Sequence, residues 1–575
     1  MGRCFRKVCL LIATWLVLGS SAWAQAVPAP SQVVPPTIVP PTGGGRISIP
    51  QVPAGTAIPA QAKQLSFKLL GFDIKGEFSE LVPARRDIAA SLIGKRITVA
   101  QVFEFADQLQ QIYVRAGYPL VRVVILPQEF EKSTRIKLRV IDGFIERTDL
   151  EAIAPSVRAR VAAVLAPLSR QAHLRQTQLE RQLLIAGEAP GLVLNAVFAA
   201  GKEVGGSVLV LTGRYRPVSL SVYSDNSLPA VFGTGQVVTS ASLNSVLGLG
   251  EQITVSAAGL PDKDFSTSSP TRRYLSGTFS IPIGIDGWNL EFGGTNGITT
   301  PRVNQNAVSQ GLLSQGRAKL SYEAVKLRDF ELTFNGRFDA TNQEIDTLLF
   351  TPAIPLNLDR LRVVRGGFDG IWRRRESATT ISFGSNFSRG LDTFGARTAA
   401  DADPLLPLSR QGADAVFSKW DGHFEITQGL PSDFFTSIAA SGQTSFRNPL
   451  LTPEQFSIDG SKMLSGFTAG ALPGDTAWVV RSEFGHPFTT PIQSGGLVMT
   501  PYVFGATGER IVEFPTALEI GSIHATNLGS GIRFNLAPWA DLMPDGYAFV
   551  EWSRRYTNAP ALDGDRIFTG ILLRY

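Results

Sequence analysis

The sequence predicts a transmembrane β-barrel of about 16 antiparallel strands behind two small α+β modules. Three observations predict it. Residues 214–575 read as one short alternating strand after another. No later segment offers the ~20 unbroken apolar residues that a membrane helix requires, so any membrane crossing must be made by a closed barrel, whose backbone groups pair with one another. The chain also opens on an export leader.

That leader is residues 1–24. Arg3, Arg6 and Lys7 form its positive region, Val8 to Gly19 its apolar stretch, and Ala22-Trp23-Ala24 a small-x-small cleavage site before Gln25. Both cysteines, Cys4 and Cys9, lie within it, so the mature chain needs no disulfide framework. The net charge of +5 is spread along the chain without a basic block, which argues against nucleic acid as a partner.

Residues 25–64 are rich in Pro, Gly, Ala and Val and read as an extended linker without helical period. Residues 65–143 form the first module. Leu65 to Ile74 is a strand carrying Phe67, Leu70 and Phe72. Ala84 to Ile93 is a short helix. Thr98 with Gln101 makes a capping box for a second helix, whose Val102, Phe105, Leu109, Ile112 and Tyr113 share one face. Leu120 to Leu126 is a β-branched strand that includes Val121, Val123 and Ile125, and Ile136, Leu138 and Val140 alternate in a third. Residues 144–213 repeat that β-α-α-β-β order more weakly, and repeated units of this kind suggest an array of binding modules.

The barrel reading is clearest at 330–340. Phe330, Leu332, Phe334, Phe338 and Ala340 share one register; Glu331, Thr333, Asn335, Arg337 and Asp339 share the other. Period 2 gives one apolar face for lipid and one polar face for a lumen. Strands are expected to start near 217, 235, 251, 273, 287, 314, 329, 360, 378, 416, 433, 476, 497, 519, 546 and 566. Residues 447–475 are the longest loop, and loops of that length are usually functional. Tyr575 ends the chain in the outward register of Ile567, Thr569, Ile571 and Leu573, where an interfacial aromatic is expected.

Enzyme chemistry finds no foothold. His173, His423, His486 and His524 lack a second ligand at helical spacing, so no metal site is indicated. Asp401, Asp403, Asp563 and Asp565 lie in turns and read as solvated loop carboxylates, with weak Ca²⁺ contact as the alternative. There is no nucleophile elbow and no phosphate loop. No catalytic residue and no cofactor are expected.

Residue-level likeness begins at Tyr113 to Gln128, where Arg115-Ala116-Gly117-Tyr118 ends a helix and Leu120 to Gln128 follows as a strand, and runs on to Val140-Ile141-Asp142-Gly143-Phe144-Ile145-Glu146. It continues at Leu179 to Leu184, Ala189-Pro190-Gly191, Gly206 to Val210, Ser224-Asp225-Asn226-Ser227 and Gly233-Thr234-Gly235. In this order and spacing the chain resembles the two-partner secretion transporters, the haemolysin secretion/activation proteins of the barrel-assembly superfamily. The resemblance makes 65–143 and 144–213 polypeptide-transport-associated (POTRA-type) domains in the periplasm and 214–575 an outer-membrane barrel. It implies a lumen loop motif at Leu464-Ser465-Gly466-Phe467 and a facing barrel-strand motif at Phe504, Ala506 and Gly508. The family's pattern has arginine where Ser465 stands and aspartate where Ala506 stands, and those charges pair inside the lumen. Loss of both avoids a stranded charge and fits a loop held by a hydroxyl and apolar contacts or, equally, a divergent or degenerate transporter. The family's N-terminal plug helix has no counterpart in 25–60, so a shortened or absent plug is expected.

The implied function is recognition of a large secreted exoprotein in the periplasm and its export, unfolded, through the barrel. Capture by strand addition points to Leu120, Val121, Val123 and Ile125, or to the strand of Phe67 and Leu70. Tyr575 would serve as the signal read by the barrel-assembly machinery, and outer-membrane lipid would surround the barrel. An outer-membrane assembly factor or a diffusion pore are the alternatives; two modules rather than more disfavour the first, and the presence of modules disfavours the second.

Overall fold

The computed structural model describes residues 27–36, 58–303, 306–492, 495–536 and 545–575. The leader and most of the linker lie outside the described residues.

In the first module the strand Ser66–Lys75 runs parallel to Ser133–Ile141, and the sheet order places Arg96–Thr98 on one edge and Arg122–Ile125 on the other. Two helices cover one face. The longer, Val99–Arg115, begins at the capping box: Thr98 Oγ1 accepts from Gln101 N at 3.3 Å, and Gln101 Oε1 accepts from Thr98 N at 2.9 Å. Its Val102, Phe105, Leu109 and Tyr113 are buried against Phe67, Leu69, Ile136 and Leu138. The second module repeats the plan with Phe144–Ala152 parallel to Gly206–Tyr215 and Leu192–Ala200 on the free edge.

Sixteen antiparallel strands then close a barrel. They run from Val218–Asp225 to Gly564–Arg574, with Thr476–Gly485 continued past His486-Pro487 by Phe488–Ile492. Phe334, Trp420, Val503 and Trp552 are among its exposed outer side chains, as an apolar belt facing lipid requires. The seam pairs Gly570 with Asp225 through Arg574 with Ser221. It is lengthened at both ends. Tyr575 N donates to Leu220 O at 2.8 Å and Tyr575 O accepts from Leu220 N at 2.9 Å; at the other end Asn226 Nδ2 donates to Ile567 O and Asn226 Oδ1 accepts from Thr569 N, both at 2.9 Å.

Two strand starts differ from the expectation by more than about three residues. Ser309–Lys326 and Ile354–Arg374 begin earlier than 314 and 360. At 18 and 21 residues they exceed the ~9–11 that a bilayer needs; Gly311 interrupts the first extension and Pro355 sits within the alternating Ile354, Leu356 and Leu358 of the second, and both read as strand breakers.

The second module abuts the periplasmic turns. On its helix Gln176–Gly187, Arg181 donates to Asp286 O at 2.8 Å and Glu323 O at 2.7 Å, and Glu180 receives Arg328 N at 2.6 Å. Glu188, just beyond the helix, pairs with Lys326.

Candidate functional site

Between the strands ending at Thr444 and beginning at Thr476, the chain folds back into the barrel. Its tip carries Leu464 and Phe467, both buried, which pack with Ala506, Val479 and Ala525 of the wall. Gly466 is required by close approach: a Cβ there would lie 2.8 Å from Arg555 Cγ. The Arg555 guanidinium lies 5.3 Å from the centre of the Phe467 ring. Gly508 backs onto the neighbouring strand, where a Cβ would fall 2.5 Å from Trp478 O. The two motifs singled out from the sequence therefore meet in the lumen.

Apolar contact and a hydroxyl do not complete the anchor; an ion pair supplied by the wall does. Arg481 Nη2 lies 2.6 Å from Glu551 Oε2, and both residues are 2 % exposed. Ser465 bridges them: its Oγ accepts from Arg481 Nη1 at 2.8 Å and donates to Glu551 Oε1. Tyr502 donates to Glu551 Oε2 at 2.8 Å, and Arg481 also pairs with Glu483 at 2.8 Å. Phe504 lies beneath the Arg481 guanidinium, 3.7 Å from ring centre to Cζ. A buried pair needs this many partners, because removing two charges from water costs several kcal/mol per ion.

A second anchor grips the loop nearer its start. Glu454, on the turn Thr452–Glu454, lies 2.7 Å from Arg365 and 2.8 Å from Lys419. Asp339 pairs with the same Arg365 at 2.6 Å and with Arg337 at 2.8 Å. Sequence reading had assigned Arg337 and Asp339 to a wetted lumen and had missed Arg481, Glu551, Glu454, Arg365 and Lys419. Period 2 shows which residues face inward but not which ones meet across the bore. The available signal was charge in an inward register: Ala477, Val479 and Arg481 are buried while Trp478 is exposed.

The N-terminal segment is also in the lumen. Its described part, 27–36, carries a short turn, Pro30–Val33, and most of the rest of 25–60, where a shortened or absent plug is expected, lies outside the described residues. Proline spacing in the sequence gives no period, because this segment is ordered by the wall rather than by itself.

The capture-strand residues divide. Leu120 and Val121 are buried, Leu120 against the second module's core and Val121 in the first's, and both precede the edge strand Arg122–Ile125. Val123 and Ile125 lie on that edge, where Gln110 Oε1 already receives Val123 N at 3.2 Å. Phe67 is a core residue on an interior strand, which Arg96–Thr98 and Ser133–Ile141 pair on its two sides, so it offers no free edge. Leu70, 49 % exposed, lies beyond the three residues paired with Arg96–Thr98. A further free edge, Leu192–Ala200, exposes Val193 and Val197 and was not anticipated. Tyr575 is exposed and closes the seam.

Among the described residues no group of three or more His, Cys, Asp or Glu could hold a metal ion. Asp401, Asp403 and Asp563 accept hydrogen bonds from their own turns. No helix among them is long and apolar enough to cross a membrane.

Residues 205–510, more than half of the chain, match the haemolysin secretion/activation protein family ShlB/FhaC/HecB, and residues 67–143 match the ShlB-type POTRA domain. The heme/hemopexin transporter protein HuxB of Haemophilus influenzae (strain 86-028NP) is 21% identical over 462 residues, 78% of this chain and 77% of that protein. The outer membrane transporter CdiB of Escherichia coli is 22% identical over 479 residues, 83% of this chain and 75% of that protein. In fold the chain is similar to the solved CdiB from Escherichia coli, with a TM-score of 0.66 at 17% identity over 100% of this chain and 99% of that one.

Proposed function

The chain belongs to the haemolysin secretion/activation family, and on that premise we propose that it captures a large exoprotein in the periplasm and exports it unfolded through the barrel while the 445–475 loop yields its place in the lumen. The observation that carries this reading is the loop's mode of attachment. Beside the apolar packing of Leu464 and Phe467, hydrogen-bonded ion pairs latch it at Ser465 and Glu454, and such latches can open when an incoming chain offers its own polar groups in exchange. A polar lumen also suits an extended chain, whose peptide groups it can solvate. The chemistry is transport, and no residue is assigned a catalytic role.

Capture is assigned to open strand edges, where main-chain bonds give affinity without demanding one sequence. Val123 and Ile125 on the first module and the Leu192–Ala200 edge of the second support it; a strand arriving at Val123 must displace Gln110. Outer-membrane lipid around the apolar belt, and delivery by the barrel-assembly machinery through terminal Tyr575, complete the reading.

Comparing the proteins of the culture medium and outer membrane with and without this chain tests it. Loss of one large protein from the medium, with other barrels unchanged, is expected. Broad loss of outer-membrane barrels would instead assign an assembly role. Deleting 447–475 should sharply raise ion conductance in planar bilayers, and unchanged conductance would sink the loop's part in the reading.

A further inference from the structure

The N-terminal segment meets the polar side chains of the barrel wall through its backbone, while the Val33 side chain packs and the Gln32 side chain reaches Gln455. Tyr274 Oη donates to Pro30 O at 2.6 Å. Arg272 donates to Val33 O from Nε at 2.9 Å and from Nη2 at 2.6 Å. Between them, Ser31 N donates to Gln343 Oε1 at 3.0 Å. Arg272, Tyr274 and Gln343 are 2 %, 1 % and 1 % exposed, so three wall side chains, buried almost completely, are committed to peptide groups.

The space around the segment is shaped for a chain of small residues. A Cβ on Gly311 would lie 2.4 Å from Pro30 Cγ, and one on Gly470 would lie 2.9 Å from Pro28 Cβ. Val33 rests against Leu228 and Phe232. The seat is not saturated either. Arg272 Nη1 and Gln343 Nε2 are buried donors without a hydrogen-bond partner, and each can take a further peptide carbonyl. Contacts to N–H and C=O groups common to every residue cannot discriminate one sequence from another.

We propose that Arg272, Tyr274 and Gln343 form a backbone-reading cradle for extended polypeptide, occupied at rest by residues 28–33 and taken over by the passing exoprotein during export. The proposal rests on the export reading for the identity of its second occupant. The resting segment is then a stand-in for cargo, and seating it keeps the cradle's charged and polar groups paired while the pore is idle.

The test uses single channels in planar bilayers. In the full-length protein, Arg272→Met with Tyr274→Phe should raise the open fraction, because the seated segment loses its carbonyl donors. A variant lacking residues 27–36, checked for a folded barrel by its heat-modifiable gel mobility, is then challenged with two synthetic peptides: the ten residues of 27–36 in native order, and the same ten scrambled. Both should block, with midpoints within about threefold of each other, and the double substitution should raise both midpoints by roughly tenfold or more, the scale of lost charge-assisted hydrogen bonds. Block by the native order alone would overturn the proposal in favour of a dedicated seat, and midpoints unmoved by the double substitution would overturn it outright. Secretion in cells keeps the two readings apart. A medium unchanged by loss of the protein overturns export while leaving peptide block as it was; normal export with sequence-selective block overturns only the cradle.

Discussion

Arg481 and Ala506 are register partners on adjacent barrel strands. The family's pattern expects an aspartate at the Ala506 position and an arginine at the loop position of Ser465. This chain instead carries its guanidinium on the wall directly opposite the alanine, and its carboxylate at Glu551, 2.6 Å away. A buried arginine–carboxylate pair thus stands in the lumen with both partners on strands, and the loop meets it through the Ser465 hydroxyl and the Met463 carbonyl.

Glu551→Gln should release the loop tip. Breaking a buried pair on one side costs roughly 3–5 kcal/mol, and Glu483, which keeps its 2.8 Å contact to Arg481, holds the expected loss near the lower end. Bilayer conductance should rise. Wild-type conductance and an unchanged thermal midpoint would show that the pair does not anchor the loop.

Ser465→Arg alone places a second guanidinium beside Arg481 with one shared carboxylate, so the tip should undock. Adding Ala506→Asp supplies a new partner next to both and should recover most of the closed-state conductance. If the double variant conducts like the single one, the wall pair is not a relocated version of the family's charges.

At the second anchor, Glu454→Ala strands Lys419, whose side chain is 9% exposed, while Arg365 keeps Asp339. The loop should detach at a cost of about 3 kcal/mol, read as faster tryptic cleavage after Lys462. Lys419→Met combined with Glu454→Met should slow that cleavage again, because an apolar pair can replace a buried ionic one. Equal cleavage rates in all three proteins would exclude Glu454 as an anchor.

Docking of the second module should depend on pH. Burial pushes the Glu188 carboxyl up to about 7, against the pull of Lys326, from an ordinary value of about 4.3. Between those values the docked state holds a proton that the undocked state has released, so docking weakens as pH rises through that window and levels off above it. Labels at Ala172 and Glu376 should show a broadening distance distribution by double electron–electron resonance from pH 5 to pH 7, and Glu188→Gln should flatten the response. A distribution constant across that range would refute it.

Much of the fold was legible because lipid enforces a period. Phe330 to Ala340 declares its two faces, and strand starts such as 476 coincide with the observed Thr476. Where strands run on past the bilayer, at Ser309 and Ile354, Gly311 and Pro355 disguise them as loop, even though Ile354, Leu356 and Leu358 keep the alternation. The Thr98–Gln101 box was legible because capping is local. Arg481 and Glu551 are 70 residues apart, and nothing local links them. Pro30 to Val33 is ordered by Arg272 and Tyr274, more than two hundred residues downstream, so its composition alone suggested only a linker.

Above the membrane, Leu361 and Val363 of the tall wall pack with Leu408, Ala415 and Phe417 and with Leu450 and Leu451 at the root of the inward loop. Asp475, at the loop's other root, receives Leu450 N at 3.0 Å and pairs with Arg410. The two roots are thus pinned to each other and to a rigid external block. On the export reading, the loop that yields to cargo would therefore be a hinged flap rather than a slack tether: it would pivot about 450–451 and 475, its swing bounded by the arm between them, and the pinned roots would return it to the same two latches.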